Sequence, residues 1–121
     1  MLQRFSHVML YVHDVGRAAK WYQTHFDFKP IFIAAPNYAA LRHDGMNFRL
    51  DLHPDKTGAN VGHGATPYFV VSDLEGTVAT LRARSVVAED PKSEGNYRFA
   101  AFTDCEGNTI GICEPPRGGH A

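Results

Sequence analysis

His7, Tyr11, Arg49 and Asp51 are the side chains best suited by type and spacing to do chemistry. His7 opens a stretch in which Val8, Leu10 and Val12 alternate with His7, Met9, Tyr11 and His13. A period of two marks a strand with one apolar face and one mixed face. Phe48 to His53 alternates in the same way, with Phe48, Leu50 and Leu52 on the apolar side and Arg49, Asp51 and His53 opposite. An imidazole beside a carboxylate allows Asp51 to orient His7 as a general base. Asp51 can equally pair with Arg49 or with His7 only to make burial of polar groups tolerable. Residue types on two strands do not fix a distance, so both readings stay open.

The remaining reactive groups read more plainly. His43, His53 and His63 fall at irregular spacing in turn-rich sequence, which reads as exposed loop histidines and not as a metal site. Cys105 and Cys113 cannot make a disulfide framework and read as two reduced thiols, Cys113 as a small core residue.

The elements that must position these groups are legible in order. Phe5 to His13 is a strand, Asp14 caps a helix, and Val15, Ala18, Ala19, Tyr22 and Phe26 share its apolar face. Pro30 begins an extended stretch, Ile31-Phe32-Ile33. Tyr38 to Arg42 and Met46 to His53 then flank the turn signal Asp44-Gly45. The second half repeats the plan. Thr66 to Ser72 is a strand, Asp73 caps a helix carrying Leu74, Val78 and Leu81, and Val86-Val87, Tyr97 to Thr103 and Asn108 to Glu114 are strands around Glu106-Gly107. Lys92-Ser93-Glu94-Gly95 reads as a solvated connection. The expected organisation is a single domain over 1–121, with module one at about 4–53, a linker at 54–64, module two at about 65–114 and a loose tail at 115–121.

The repeat carries the most information. Matched with one residue fewer before the second cap, it puts Pro67, Phe69 and Val71 on the same face as His7, Met9 and Tyr11. A sheet with one helix leaves its other face unburied, and two such modules can close those faces round a chamber. The expected ligand wall is His7, Met9, Tyr11, Arg49, Asp51 and Phe69. Such a wall suits a small molecule with an aromatic or apolar body and one or two polar handles.

Three stretches resemble the vicinal oxygen chelate superfamily, which includes glyoxalase I, extradiol dioxygenases, fosfomycin-resistance transferases and bleomycin-binding proteins. They are His7 to Val15 with Trp21-Tyr22 and Phe26-Asp27-Phe28, then Tyr68 to Leu74, then Phe102 to Ile110. The resemblance implies an α+β fold of two βαβββ modules whose sheets curl round a ligand chamber. It also implies that metal-dependent members hold a divalent ion through up to four equivalent strand positions, which here are His7, Asp51, Pro67 and Gly111. Pro67 and Gly111 offer no donor side chain, and thiol transfer of the fosfomycin-resistance kind would need donors at both. The expectation is a small-molecule-binding protein of the glyoxalase/bleomycin-resistance type with no cofactor. The alternative is a metal-dependent lyase or dioxygenase using His7 and Asp51, with His7 the candidate catalytic group.

Composition narrows the partners. The 121 residues are 44% hydrophobic, an ordinary globular value, and carry a net charge of −1 from 12 basic and 13 acidic residues. No basic cluster favours nucleic acid or an anionic membrane, and no acidic excess favours a large cation such as bleomycin. The start lacks the pattern of a signal peptide and no apolar run could span a bilayer, so a cytoplasmic protein is expected. Open sheets with exposed edges lead to the expectation of a homodimer.

Overall fold

Alternation in the first strand is resolved by a helix laid on one of its two faces. In a computed structural model of the chain, which describes Met1, Gln3 and residues 5–94 and 97–114, with Tyr97 in its backbone alone, β1 is Val8–Val12 and α1 is Val15–Phe26. Asp14 stands before the helix with extended backbone, and its carboxylate accepts from Arg17 N at 3.0 Å. That bond satisfies one of the amides a helix start leaves unpaired. Val15, Ala18, Ala19 and Tyr22 form the buried stripe. The helix ends where Asp27 turns to φ 60°. Phe28 then enters the core against Tyr22, with ring centroids 5.7 Å apart.

β2 (Lys29–Ala34), β3 (Tyr38–His43) and β4 (Phe48–Pro54) complete a four-stranded sheet in the order β1-β4-β3-β2. β1 runs parallel to β4, and the other pairs are antiparallel. Leu10, Val12, Ala39, Leu41, Leu50 and Leu52 are buried on the side of α1. The face read from alternation in β1 and β4 is therefore the face observed. Full burial of each leucine stabilises the fold by about 1.5–3 kcal/mol.

The second unit repeats the plan with an addition. β5 (Tyr68–Val70), α2 (Leu74–Ala83), β6 (Val87–Ala88), β7 (Lys92–Glu94), β8 (Tyr97–Thr103) and β9 (Thr109–Cys113) form a five-stranded sheet ordered β5-β9-β8-β6, with β7 also paired to β8. Lys92–Glu94 is thus a strand, where a solvated connection was expected. Its backbone ladder to Phe99, Arg98 and Tyr97 holds it, and its side chains are exposed, so no apolar alternation marks it. The β8–β9 hairpin turns at Gly107, whose φ of 88° favours glycine. Buried Asp104 ties the same turn by accepting from the amides of Glu106 and Asn108 at 2.8 Å each.

The chain divides into two compact units between Gly64 and Ala65. The expected loose tail at 115–121, and Gly95 of the polar connection, lie outside the described residues. Among those described, no helix is long and apolar enough to cross a membrane.

Candidate functional site

The site is built on the helix-free face of the first sheet. Paired residues on neighbouring strands point the same way. The register Met9↔Asp51, Tyr11↔His53, Ala40↔Asp51 and Arg42↔Arg49 therefore gathers Met9, Tyr11, Arg42, Arg49, Asp51 and His53 on that face. His7, one step before Val8, joins them and lies half-buried.

Asp51 is the centre. It is 0% exposed, and a buried carboxylate must be held by hydrogen bonds or an opposite charge. Arg49 grips it with two donors, Nε to Oδ1 at 2.7 Å and Nη2 to Oδ2 at 2.9 Å, and the Tyr38 hydroxyl donates to Oδ2. His7 Nε2 stands 3.6 Å from the same Oδ2, beyond hydrogen-bond length, and Ser6 Oγ lies 2.8 Å from His7 Nδ1. Burial pushes the Asp51 carboxyl upward. The bonds from Arg49 and Tyr38 and the charges of Arg49 and His7 outweigh it, so the pKa falls below the ordinary value. The Tyr38 hydroxyl is pushed up, by burial first and by the Asp51 carboxylate next, and stays a donor. Of the two pairings open to Asp51, the one with Arg49 is hydrogen-bonded, while His7 stands only at ion-pair distance.

Tyr38 was absent from the expected wall. The signal lay in Tyr38-Ala39-Ala40-Leu41-Arg42, whose alternation puts Tyr38 on the face of Asp51 once Ala39 and Leu41 go to the core. Tyr38 also belongs to an aromatic row that crosses all four strands. Tyr11 meets His53 edge-on at 5.8 Å, His53 meets Tyr38 edge-on at 6.0 Å, and Tyr38 stacks on Phe32 at 5.9 Å. His53 Nδ1 donates to the Pro54 carbonyl at 2.8 Å. His53 thus sits in β4, and His43 sits in β3 with its ring 5.3 Å from Phe28. His43 is no loop histidine because β3 runs one residue beyond the expected Tyr38 to Arg42, and His53, though exposed, lies within the strand expected over Met46 to His53. His63 is exposed in a turn region.

A groove of about 460 Å³ opens at the turn end of the same sheet. Arg42, Arg49, His43, Phe5, Ile31 and Phe48 are among its walls.

The second unit corrects the expected phase. Tyr68 pairs with Gly111 and Phe69 with Ile112. A Cβ built on Gly111 would lie 2.3 Å from the Tyr68 ring, so Tyr68 covers Gly111. Tyr68 and Val70 are 51% and 64% exposed, whereas Ile112 and Ile110 on the other face are buried with Leu74, Val78 and Leu81 of α2. Phe69 therefore belongs to the helix-covered face and not to the expected wall, and Pro67 and Val71 go with it. The physical reason is the pleat, in which a one-residue slip turns every side chain over. The counterpart of His7 is accordingly Thr66, not Pro67, while Gly111 keeps its match to Asp51 through the pairs Met9↔Asp51 and Tyr68↔Gly111.

These donors fit a divalent ion poorly. An ion shared by His7 and Asp51 would compete at Oδ2 with the bonds from Arg49 and Tyr38 and would lie against a guanidinium. In the second unit, Thr66 supplies neither imidazole nor carboxylate, and the Tyr68 ring fills the space over Gly111. Elsewhere, Asp73, Glu75 and Glu114 bring oxygens within 4.8 Å of one another. Arg98 already bridges two of them, at 2.6 Å to Glu75 and 3.1 Å to Glu114.

A family model described as the Glyoxalase/Bleomycin resistance protein/Dioxygenase superfamily matches residues 4–112, and the chain belongs to that superfamily. Solved structures agree on the fold. A fosfomycin resistance protein from Listeria monocytogenes is similar with a TM-score of 0.77 at 13% identity, over 97% of each chain. A bleomycin-binding protein from Streptomyces verticillus, complexed with copper(II)-bleomycin, gives 0.73 at 16% identity over 93% of this chain and 97% of that one. A lactoylglutathione lyase from Agrobacterium tumefaciens gives 0.71 at 15% identity over 98% of each. Identities this low speak to the fold alone. No functionally curated protein matches the sequence.

Proposed function

We propose that the protein binds a small organic molecule with an aromatic or apolar body on the helix-free face of its first sheet, and that it does so without a divalent metal. The observation that carries this reading is the aromatic row from Tyr11 to Phe32 beside a fully buried carboxylate already satisfied by Arg49 and Tyr38. A wall of rings with a few fixed polar groups is what small-molecule sites use. Binding is favoured over catalysis because Asp51 has its oxygens engaged and stands too far from His7 to orient it as a base. The metal-dependent lyase or dioxygenase reading loses support because Arg49 already holds Asp51 and the matching positions of the second unit supply no imidazole or carboxylate. Exposed Ile31, Phe32, Ile33, Tyr68 and Val70 support a homodimer, and two cysteines outside any disulfide suit the cytoplasm.

Elemental analysis of protein purified without chelator should find well under one equivalent of Zn, Fe, Mn or Ni per chain. A thermal-shift screen of small aromatic compounds should find stabilising ligands. Tyr11→Ala should weaken those ligands about five- to tenfold, the loss of one aromatic contact. One tightly bound metal per chain, whose removal lowers the melting temperature and whose return restores it, would overturn the metal-free reading.

A further inference from the structure

Arg42 and Arg49 are direct partners across β3 and β4 on the same face of the sheet. Like charges placed opposite each other on neighbouring strands destabilise a sheet unless something lies between them. Both guanidiniums line the groove at the turn end, with Ser6, His43 and Asn47 as further polar walls and Phe5, Ile31 and Phe48 as apolar ones. Arg49 spends Nε and Nη2 on Asp51, and Arg42 spends Nε on Asp44 and Nη1 on the Pro30 carbonyl. Among the described residues, Arg42 Nη2 donates no hydrogen bond.

The two carboxylates that balance these cations are unequal. Asp51 is 0% exposed beneath Arg49, whereas the Asp44 side chain is 60% exposed at the rim. An exposed ion pair such as Arg42–Asp44 holds weakly, so Arg42 is available to a better acceptor. A guanidinium prefers an oxyanion that can take two donors at once.

We propose that this groove is a subsite for an oxyanion, a carboxylate or a phosphonate, carried on an aromatic or apolar body, with Arg42 and Arg49 as its clamps and Asp44 as the internal competitor. The subsite deepens the proposed function by naming the ligand's polar handle, and it rests on that reading only through the shared Arg49.

Titration calorimetry with phenylphosphonate, benzoate and benzyl alcohol separates the possibilities. Phenylphosphonate or benzoate should bind at least about tenfold more tightly than the neutral alcohol, as a charge-assisted bond allows. The stronger of the two identifies the oxyanion. Arg42→Gln should remove that advantage, Arg42→Lys should keep part of it, and Asp44→Asn should strengthen oxyanion binding about threefold by removing the competitor. A thermal melt on each variant checks the sheet, and Asp44→Asn tests the idea even if Arg42→Gln fails to fold. If benzyl alcohol binds and neither oxyanion does better, the subsite is wrong and the proposed function stands. If none of the three binds, both fail. Oxyanion binding that ignores Arg42→Gln and Asp44→Asn would move the anion elsewhere and overturn the assignment.

Discussion

At the scale of single residues, Asp51 holds the polar side of the first sheet together. Its pKa in the folded protein lies below the ordinary value, against the push of burial, because Arg49 and Tyr38 hold the charged form. A depressed carboxyl pKa stabilises the fold fully above the unfolded value of about 4, and that stability is lost as pH falls through the lower folded value. Acid denaturation below about pH 4 should therefore be steeper in the wild type than in Asp51→Asn. At neutral pH the variant should lose about 1.5–3 kcal/mol, the worth of hydrogen bonds to a charged group. Equal acid slopes in urea melts of the two proteins would count against a charged Asp51. Asp51 and Arg49 were legible because β4 alternates cleanly between leucines and polar residues. Tyr38 was harder to place, because Ala39 and Ala40 are small on both faces and Leu41 alone marks which way β3 is turned.

At the scale of elements, the two units carry unequal signals in their sequence. The caps were legible in both, since Asp14 and Asp73 each precede an apolar helical stripe and each accepts the amide three residues on. Matching the repeat cap to cap pairs Met9 with Tyr68 and Leu10 with Phe69, the phase that the strand register shows. Matching it with one residue fewer before the cap turned β5 over. β5 is three residues long, with no polar position in Tyr68-Phe69-Val70, so nothing in its own composition corrects the error. A mutational comparison tests the phase directly. Phe69→Ala should destabilise the protein by about 3 kcal/mol by opening a cavity under α2, while Tyr68→Ala should cost about 1 kcal/mol or less. Denaturant melts that reverse this order would return β5 to the other phase. β7 is silent in the sequence for a different reason: Lys92-Ser93-Glu94 is held by backbone pairing to β8, which leaves no trace in side-chain pattern.

At the scale of the whole molecule, exposed apolar surface is the outstanding debt. Ile31, Phe32 and Ile33 on the edge strand β2 are each close to half exposed, and Val87 is 74% exposed. A soluble protein covers such surface or aggregates through it. Light scattering at micromolar concentration should give the mass of two chains, and a single-chain mass would count against the proposed homodimer. The packing of the only tryptophan has a separate consequence. Trp21 lies on α1 among Tyr22, His25 and Phe26, with ring centroids 5.0, 4.8 and 5.6 Å away, and the second unit has no tryptophan at all. Indole emission is therefore a private reporter of the first unit, whereas far-ultraviolet dichroism sums both. Comparing the two signals through one melt shows, without any label, whether the halves of this chain come apart together or in turn.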